Sequence, residues 1–254
     1  MVLLVDIGNT RIKWTRLAGE RAGRRQAAVH SGWSPADYTR HLFRSALPER
    51  MLVSNVAGQK VRLALTAAAR REGVEAQFVR TPRRAGGVTV GYLEPWRLGV
   101  DRFVAAVGAH QVFPGVPVCV VAVGTAMTLD LVDGNGHHRG GVIIPSPRLM
   151  IDTLYARTHG IRRRARGGSP GEAGLIGRST RAGVVQGSRY AAAALIDRLV
   201  EEAQALVVRE PLVVLTGGEV ATVRPLVRSR WVVVPDLVLR GLAVLAQAPR
   251  PHGR

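Results

Sequence analysis

A single cysteine, Cys119, occurs in 254 residues, so the chain has no internal disulfide. None of the scattered histidines pairs with it at a metal-ligand spacing, which argues against zinc. Cys119 lies in the apolar run Val116–Val123, where a thiol serves as a small core residue in a reducing compartment. Aromatic residues make up 5% of the chain, and the aromatic-basic interleaving and helix-turn-helix spacing of nucleic-acid modules are missing. No apolar run approaches the ~20 residues of a membrane helix. Met1–Val5 is apolar but meets Asp6 at once, without a basic leader or cleavage site. A soluble cytoplasmic protein with no membrane partner is expected.

Acidic residues are also scarce, 18 against 36 basic ones, for a net charge of +18. Most of the excess is arginine, with a cluster at Arg157, Arg162, Arg163, Arg164 and Arg166, which reads as a solvent-facing loop. Such a field attracts polyanions, either nucleic acid or a small one such as ATP. Without a nucleic-acid module, nucleic acid is the lesser reading. The ordinary apolar content, 46%, suits a folded chain long enough to bury a core unaided.

Strand and helix patterns alternate, which predicts an α/β architecture. Apolar strands are expected at Val2–Val5, Met51–Val53, Val74–Val79, Val116–Val123, Met127–Val132, Gly140–Ile144, Leu212–Leu215 and Trp231–Val234. Helical spacing marks Val61–Arg71, Leu98–Gln111, Pro147–Thr158, Ala182–Ala205 and Leu237–Gln247. Thr81–Gly91, with Pro82, Gly86, Gly87 and Gly91, reads as a loop, and His137-His138 as a solvated turn. An apolar strand, glycine turn and second strand occur at the start and again after residue 115. That echo predicts two similar halves, residues 1–115 and 116–254.

Four segments carry chemistry. Asp6-Ile7-Gly8-Asn9-Thr10 ends the first strand in a turn whose glycine would let amide groups approach a phosphate. Thr10 adds a hydroxyl, Lys13 a mobile charge, and Asp6 a carboxylate for magnesium. Gly124-Thr125-Ala126-x-Thr128-x-Asp130 repeats the pattern, so two hairpins could clamp a triphosphate. Thr216-Gly217-Gly218 offers a flat backbone surface for a base or ribose. No G-x-x-x-x-G-K-[ST] loop is present. In Leu98-Gly99-Val100-Asp101-Arg102, a carboxylate able to take a hydroxyl proton adjoins a guanidinium able to grip an anion. The same segment also reads as a helix start in which Asp101 complements the dipole.

In this order the three phosphate-type elements resemble the ATPase clan of actin, the heat-shock chaperones and the sugar kinases. More specifically, Asp6 to Lys13, then Tyr92-x-x-Pro95-x-x-Leu98-Gly99-x-Asp101-Arg102, Gly124-Thr125-Ala126-x-Thr128-x-Asp130 and Gly140-Gly141-Val-Ile-Ile-Pro145 are similar to the ordered motifs of type III pantothenate kinases. Gly177-Arg-Ser179-Thr180, Gly187, Thr216-Gly217-Gly218 and Pro235-x-Leu237-Val-Leu239-x-Gly241-Leu242 continue the likeness from about residue 2 to about residue 245. The resemblance implies two actin-like (ribonuclease H-like) lobes, each a mixed sheet flanked by helices. It also implies ATP-dependent phosphorylation of pantothenate, the first step of coenzyme A synthesis, in a homodimer with its site near the interface. By it, Asp101 is the general base, and Tyr92, Gly99, Val100, Arg102 and Thr180 bind pantothenate, Thr180 from the partner subunit. Asp6, Ile7, Gly8, Asn9, Thr10, Arg11, Ile12, Lys13, Thr125, Gly217 and Gly218 bind ATP and its magnesium, Asp6 being the metal ligand.

Ala122 departs from the pattern. The family carries an aspartate there that helps hold potassium or ammonium, and alanine offers no side-chain oxygen. Ser146 and Thr158–Arg162 also differ, in a region expected to shape the substrate pocket. Two alternatives stay open on the sequence: a same-fold kinase for another small alcohol, and a weakened or regulatory, nucleic-acid-associated descendant.

Overall fold

The computed structural model describes residues 1–167 and 174–248. In chain order these form β1 (Val2–Ile7), β2 (Arg11–Ala18), β3 (Arg21–Ala22), β4 (Gln26–Val29), α1 (Pro35–Leu42), β5 (Arg50–Asn55) and α2 (Gln59–Arg71). Next come β6 (Glu75–Phe78), β7 (Arg84–Ala85), β8 (Val88–Val90), α3 (Val100–Val112), β9 (Val118–Val123), β10 (Ala126–Val132) and β11 (His137–Pro145). The remainder is α4 (Pro147–Arg157), α5 (His159–Ala165), α6 (Thr180–Ala203), β12 (Leu212–Thr216), α7 (Val220–Val223), β13 (Trp231–Val233) and α8 (Leu237–Gln247). Two units divide them: Met1–Pro114 with Gly136–His138 and the residues from Asp236 onward, and Gly115–Asn135 with Arg139–Pro235. Against the expected halves, 1–115 and 116–254, both Gly136–His138 and α8 go to the first unit.

In the first unit the sheet runs β3-β2-β1-β5-β6, with β4 also on β2. The β1–β2 pair is antiparallel, and β5 and β6 follow in parallel. Alternation along β1 sends Leu3, Val5 and Ile7 to one face, where they meet Ile12 and Trp14 of β2, Tyr38 and Leu42 of α1, and Leu65, Ala68 and Ala69 of α2. Helix α1 starts at a capping box, Ser34 and Asp37 each binding the other's backbone N–H.

The first unit also packs α3 on α8, and α8 on β1, β2 and β5. Glycine makes that approach possible. A Cβ on Gly241 would stand 1.9 Å from the Val104 carbonyl oxygen, and one on Gly108 2.4 Å from that of Leu237.

The second unit repeats the plan. Its strands run β13-β12-β9-β10-β11, with β9–β10 antiparallel and β12 and β13 following β9 in parallel. Cys119, Val121 and Val123 face Met127, Leu129, Val213 and Leu215, and Ala192, Ala193, Ile196 and Val200 of α6 cover them. Cys119 is a free, buried thiol, as its apolar run implies, and burial with nearby Asp130 pushes its pKa up. The echo read from the sequence is therefore a repeated topology: a hairpin whose first strand is extended on its other side by two parallel strands.

Several local readings need correction. Thr81–Gly91 is not a loop throughout; it holds the hairpin β7–β8. His137 and His138 open β11 and pair with β8, and His138 is 1% exposed, so they form no solvated turn. Arg162, Arg163 and Arg164 lie within α5 instead of a loop. The strands β3 and β4 and helix α1 went unread, because short exposed strands and an eight-residue helix carry little periodicity. No helix among the described residues is long and apolar enough to cross a membrane.

Because α8 touches α3 through backbone, a single methyl at Gly241 has nowhere to go. Gly241→Ala is expected to lower stability by about 2–4 kcal/mol in urea unfolding, while Gln247→Ala on the same helix stays within roughly 0.5 kcal/mol.

Candidate functional site

In the first unit, β1 and β2 turn over Gly8–Thr10, closed by the Gly8 N–H donating to the Arg11 carbonyl at 3.0 Å. Ile7 and Ile12 pair at its foot and are fully buried, so of these two only backbone groups are left to face a ligand. Asn9, Thr10 and Arg11 stand exposed. Gly8 itself does not need to be glycine for the turn: its φ is not positive, and an added Cβ would rest 3.5 Å from the Arg11 carbonyl, an ordinary contact. That corrects the sequence argument from backbone geometry; any demand for glycine comes from what approaches the turn.

One residue outside every motif braces this turn. His30, 4% exposed, places Nε2 2.7 Å from the Gly8 carbonyl oxygen and Nδ1 3.3 Å from the Tyr38 hydroxyl. A carbonyl can only accept, so Nε2 carries the hydrogen and Nδ1 accepts from Tyr38. Burial pushes the Tyr38 pKa up, which keeps that donor protonated. Nothing in the sequence near His30 signals this role, because its partner lies 22 residues away.

Asp6 and Lys13 are directly opposite in the antiparallel pair, so their side chains share a face. The Lys13 ammonium lies 3.7 Å from Asp236 Oδ1, and Arg25 Nη1 reaches the same oxygen at 2.9 Å. Burial pushes the Asp6 carboxyl up to about 7; Lys13 opposes the shift, while the charges of Asp101 and Asp236 add to it. In the first unit Asp6 thus feels two further carboxylates, and Lys13, its cross-strand partner, makes its ion pair with Asp236. Asp236 was not singled out from the sequence, where it is only the unspecified residue of Pro235-x-Leu237.

Gly99 caps α3, and Asp101 lies in its first turn, with Oδ1 accepting the Arg102 N–H at 2.9 Å. Arg102 is 7% exposed, and its Nη1 donates to the Tyr92 hydroxyl at 3.3 Å. The segment bearing Tyr92 is tied down from β7's side: Arg83 donates to the carbonyls of Val90, Tyr92 and Leu93 at 3.1, 2.7 and 2.6 Å. Asp6, Lys13, Gly99, Val100, Asp101, Arg102 and Tyr92 all belong to this unit. A buried guanidinium beside a phenol, next to a carboxylate at a helix start, can grip an anionic alcohol and accept its proton.

The second unit holds the other expected residues. Its hairpin closes one residue tighter than the first, Gly124 N–H to Ala126 carbonyl at 3.0 Å, with Thr125 exposed. Gly217 (φ 108°) and Gly218 follow β12 and are exposed, and the Glu219 N–H donates to the Val123 carbonyl at 3.1 Å, tying that turn to the end of β9. Thr180 opens α6 behind the Ser179 cap. Ala122 stands between Thr128 of β10 and Thr216 of β12 in register. Its row offers hydroxyls and no carboxylate.

For a divalent ion, no group of three or more His, Cys, Asp or Glu residues occurs among the described residues. Magnesium does not require one, because it commonly takes one or two carboxylates and completes its shell with water and phosphate oxygens. Asp6 fits that role. The residues in register with Ala122, Thr128 and Thr216, offer a monovalent ion no carboxylate.

Comparison with known proteins places the chain in a family. The profile of the type III pantothenate kinase family matches residues 2–202. A type III pantothenate kinase of Alkalilimnicola ehrlichii is 38% identical over 246 residues, 96% of this chain and 97% of the relative. One of Nitrosococcus oceani is 35% identical over 257 residues, 97% and 94% of the two chains. Among solved structures, a Sinorhizobium meliloti protein named, provisionally, a 2-dehydro-3-deoxygalactonokinase superposes with a TM-score of 0.63 at 14% identity, covering 100% of this chain and 98% of its own. The fold is that of the actin-like sugar kinases and ATPases, and the chain belongs to the type III pantothenate kinase family.

The raised Asp6 pKa has a stability consequence with a definite sign. Between the ordinary carboxylate range and about pH 7, the folded protein holds a proton that the unfolded chain has released, so stability falls as pH rises through that window. Asp6→Asn removes the term. Without ligand, its melting temperature is expected to match wild type near pH 4 and exceed it by roughly 3–6 °C at pH 8. Parallel pH curves for the two proteins would contradict the burial of that charge.

Proposed function

We infer that this protein is an ATP-dependent pantothenate kinase, transferring the γ-phosphoryl group of ATP to the primary alcohol of pantothenate. The observation that carries the reading is the gathering of Asp6, Lys13, Asp101, Arg102 and Tyr92 in one unit of a chain that belongs to this family.

In the proposed mechanism Arg102 and Tyr92, with Gly99 and Val100 beside them, hold pantothenate through its polar groups, the guanidinium matching the carboxylate. Asp101 accepts the hydroxyl proton as the alcohol oxygen bonds to the γ-phosphorus. The bond from that phosphorus to the bridging oxygen breaks, leaving ADP. Backbone N–H groups of Asn9 and Thr10, the Thr10 hydroxyl and Lys13 take the phosphate charge, Gly8 shaping the turn that presents them, and Thr125, Gly217 and Gly218 are assigned to ATP as well. Magnesium, held at Asp6 when bound, neutralises charge on the phosphate oxygens. Positioning and charge neutralisation dominate such a transfer, so the lost carboxylate at Ala122 leaves its essential parts in place.

The reading also includes a homodimer in the cytoplasm, with Thr180 serving the partner's pantothenate. What supports a dimer is a cavity of about 570 Å³ along α4 and α6, lined by Pro145, Met150, Leu154, Val184 and their neighbours. Ile143, Leu149 and Ile176 of the same unit are exposed, and such apolar surface favours burial against a second copy. Light scattering on the purified protein is expected to give twice the 27.3 kDa chain mass, and Leu154→Glu to return it to one chain. A wild-type monomer at micromolar concentration would remove the dimer from the account.

The decisive kinetic arm is Asp101→Asn. It is expected to keep its circular dichroism and lose about a thousandfold in pantothenate-dependent ADP release, in line with the loss of a general base. Wild-type turnover is expected to be the same in sodium, potassium and ammonium buffers. An Asp101→Asn enzyme with near-normal turnover would refute the assigned base, and a strong potassium requirement would show the cation held by other groups.

A further inference from the structure

We propose that Asp236 is a positioning residue for phosphoryl transfer, holding the Lys13 ammonium away from Asp6 and ready for the terminal phosphates of ATP. The inference rests on the kinase reading for its context, but its argument is local to the first unit.

Cross-strand pairing puts Lys13 directly opposite Asp6. Left alone, the two would form an ion pair and occupy each other, consuming one carboxylate meant for a metal and one cation meant for phosphate. Among the described residues, however, the ion pair that Lys13 makes within 4 Å is with Asp236. Its 3.7 Å separation is longer than a hydrogen bond. The ammonium is thus drawn aside while its donors stay available. Arg25 supplies the hydrogen bond instead, at 2.9 Å to the same Oδ1, and so fixes the carboxylate that does the holding.

Two further observations point to a dedicated position. Asp236 has φ 56° and ψ 38°, and it is the one non-glycine residue with positive φ among the described residues. Left-handed backbone is tolerated by Asp and Asn far better than by other side chains, and strained residues of this kind cluster at functional sites. Asp236 stands at the N-cap of α8 yet makes no side-chain capping bond to that helix, and its carboxylate goes to Arg25 and Lys13 instead. The second observation is compositional. Thirty-four of the thirty-six basic residues are arginine, and the two lysines are Lys13 and Lys60. In a chain that uses arginine almost everywhere, position 13 is one of two that carry a lysine, and there a compact, movable ammonium can be parked and released. A planar guanidinium would bind Asp236 in a two-pronged grip and not let go as readily.

The test is a double-mutant cycle of Asp236→Asn with Lys13→Met, read by equilibrium titration of a non-hydrolysable ATP analogue with magnesium, and of AMP, together with steady-state kinetics. Asparagine keeps the left-handed backbone while removing the charge, and Asp236→Gly is the second variant should asparagine fold poorly. Asp236→Asn is expected to weaken the ATP analogue about five- to tenfold, leave AMP within roughly twofold, and lower kcat about tenfold with the pantothenate KM little changed. In the Lys13→Met background it is expected to add less than about twofold, because the two residues act as one unit. Equal losses in both backgrounds, or wild-type affinity for the analogue in Asp236→Asn, would overturn the proposal. Wild-type protein that couples Asp236 to Lys13 in analogue binding but does not phosphorylate pantothenate would uphold this inference and reject the substrate instead.

Discussion

A buried carboxylate set opposite an ammonium is the constraint on which the site depends. Asp6, Asp101 and Asp236 all bear on the same partly buried region, and the balance falls against ionising Asp6 in the free protein. Like charges so placed demand a cation. Lys13, directly opposite Asp6, supplies one. The fold is organised to maintain that tension: β1 and β2 fix Asp6 opposite Lys13, α3 presents Asp101, and α8, seated on α3 through Gly108 and Gly241, presents Asp236.

Much of this was legible before any coordinates. The glycine-turn hairpins stood out because each follows an apolar strand with a glycine and a second strand, the first with Asp6-Ile7-Gly8, and their repetition after residue 115 corresponds to a repeated strand order. The long helices and buried strands stood out by period. What stayed hidden was everything made by distant partners. His30 braces Gly8 from another strand's end, Arg83 secures the Tyr92 segment through backbone carbonyls, and Asp236 finds Lys13 from across the chain. Such contacts leave no local pattern, since each residue is unremarkable among its own neighbours. The short elements β3, β4, β7 and β8 were missed for a different reason: two to four residues cannot display a period. The reading of Gly8 erred in mechanism, because the turn is satisfied without an unusual φ.

The departures from the family pattern take on a physical shape. At Ala122 the neighbouring strands offer threonine hydroxyls in place of a charged oxygen, so the second hairpin is a neutral counterpart to the first. The charge of +18 makes that neutrality less costly, since a basic protein already favours a polyanion. Nucleic-acid binding gains nothing from the structure or from the relatives. The arginine runs that first suggested it lie partly in α5, an ordinary short helix.

The central claim is that this arrangement phosphorylates pantothenate. The most direct measurement offers the purified protein ATP and magnesium with an equimolar panel of small alcohols, including pantothenate, sugars and hydroxy acids, and identifies products by mass spectrometry and phosphorus NMR. The account expects one phosphomonoester, on the primary alcohol of pantothenate, formed in step with ADP. Phosphorylation of a different alcohol, or ADP release that ignores every acceptor, would contradict it.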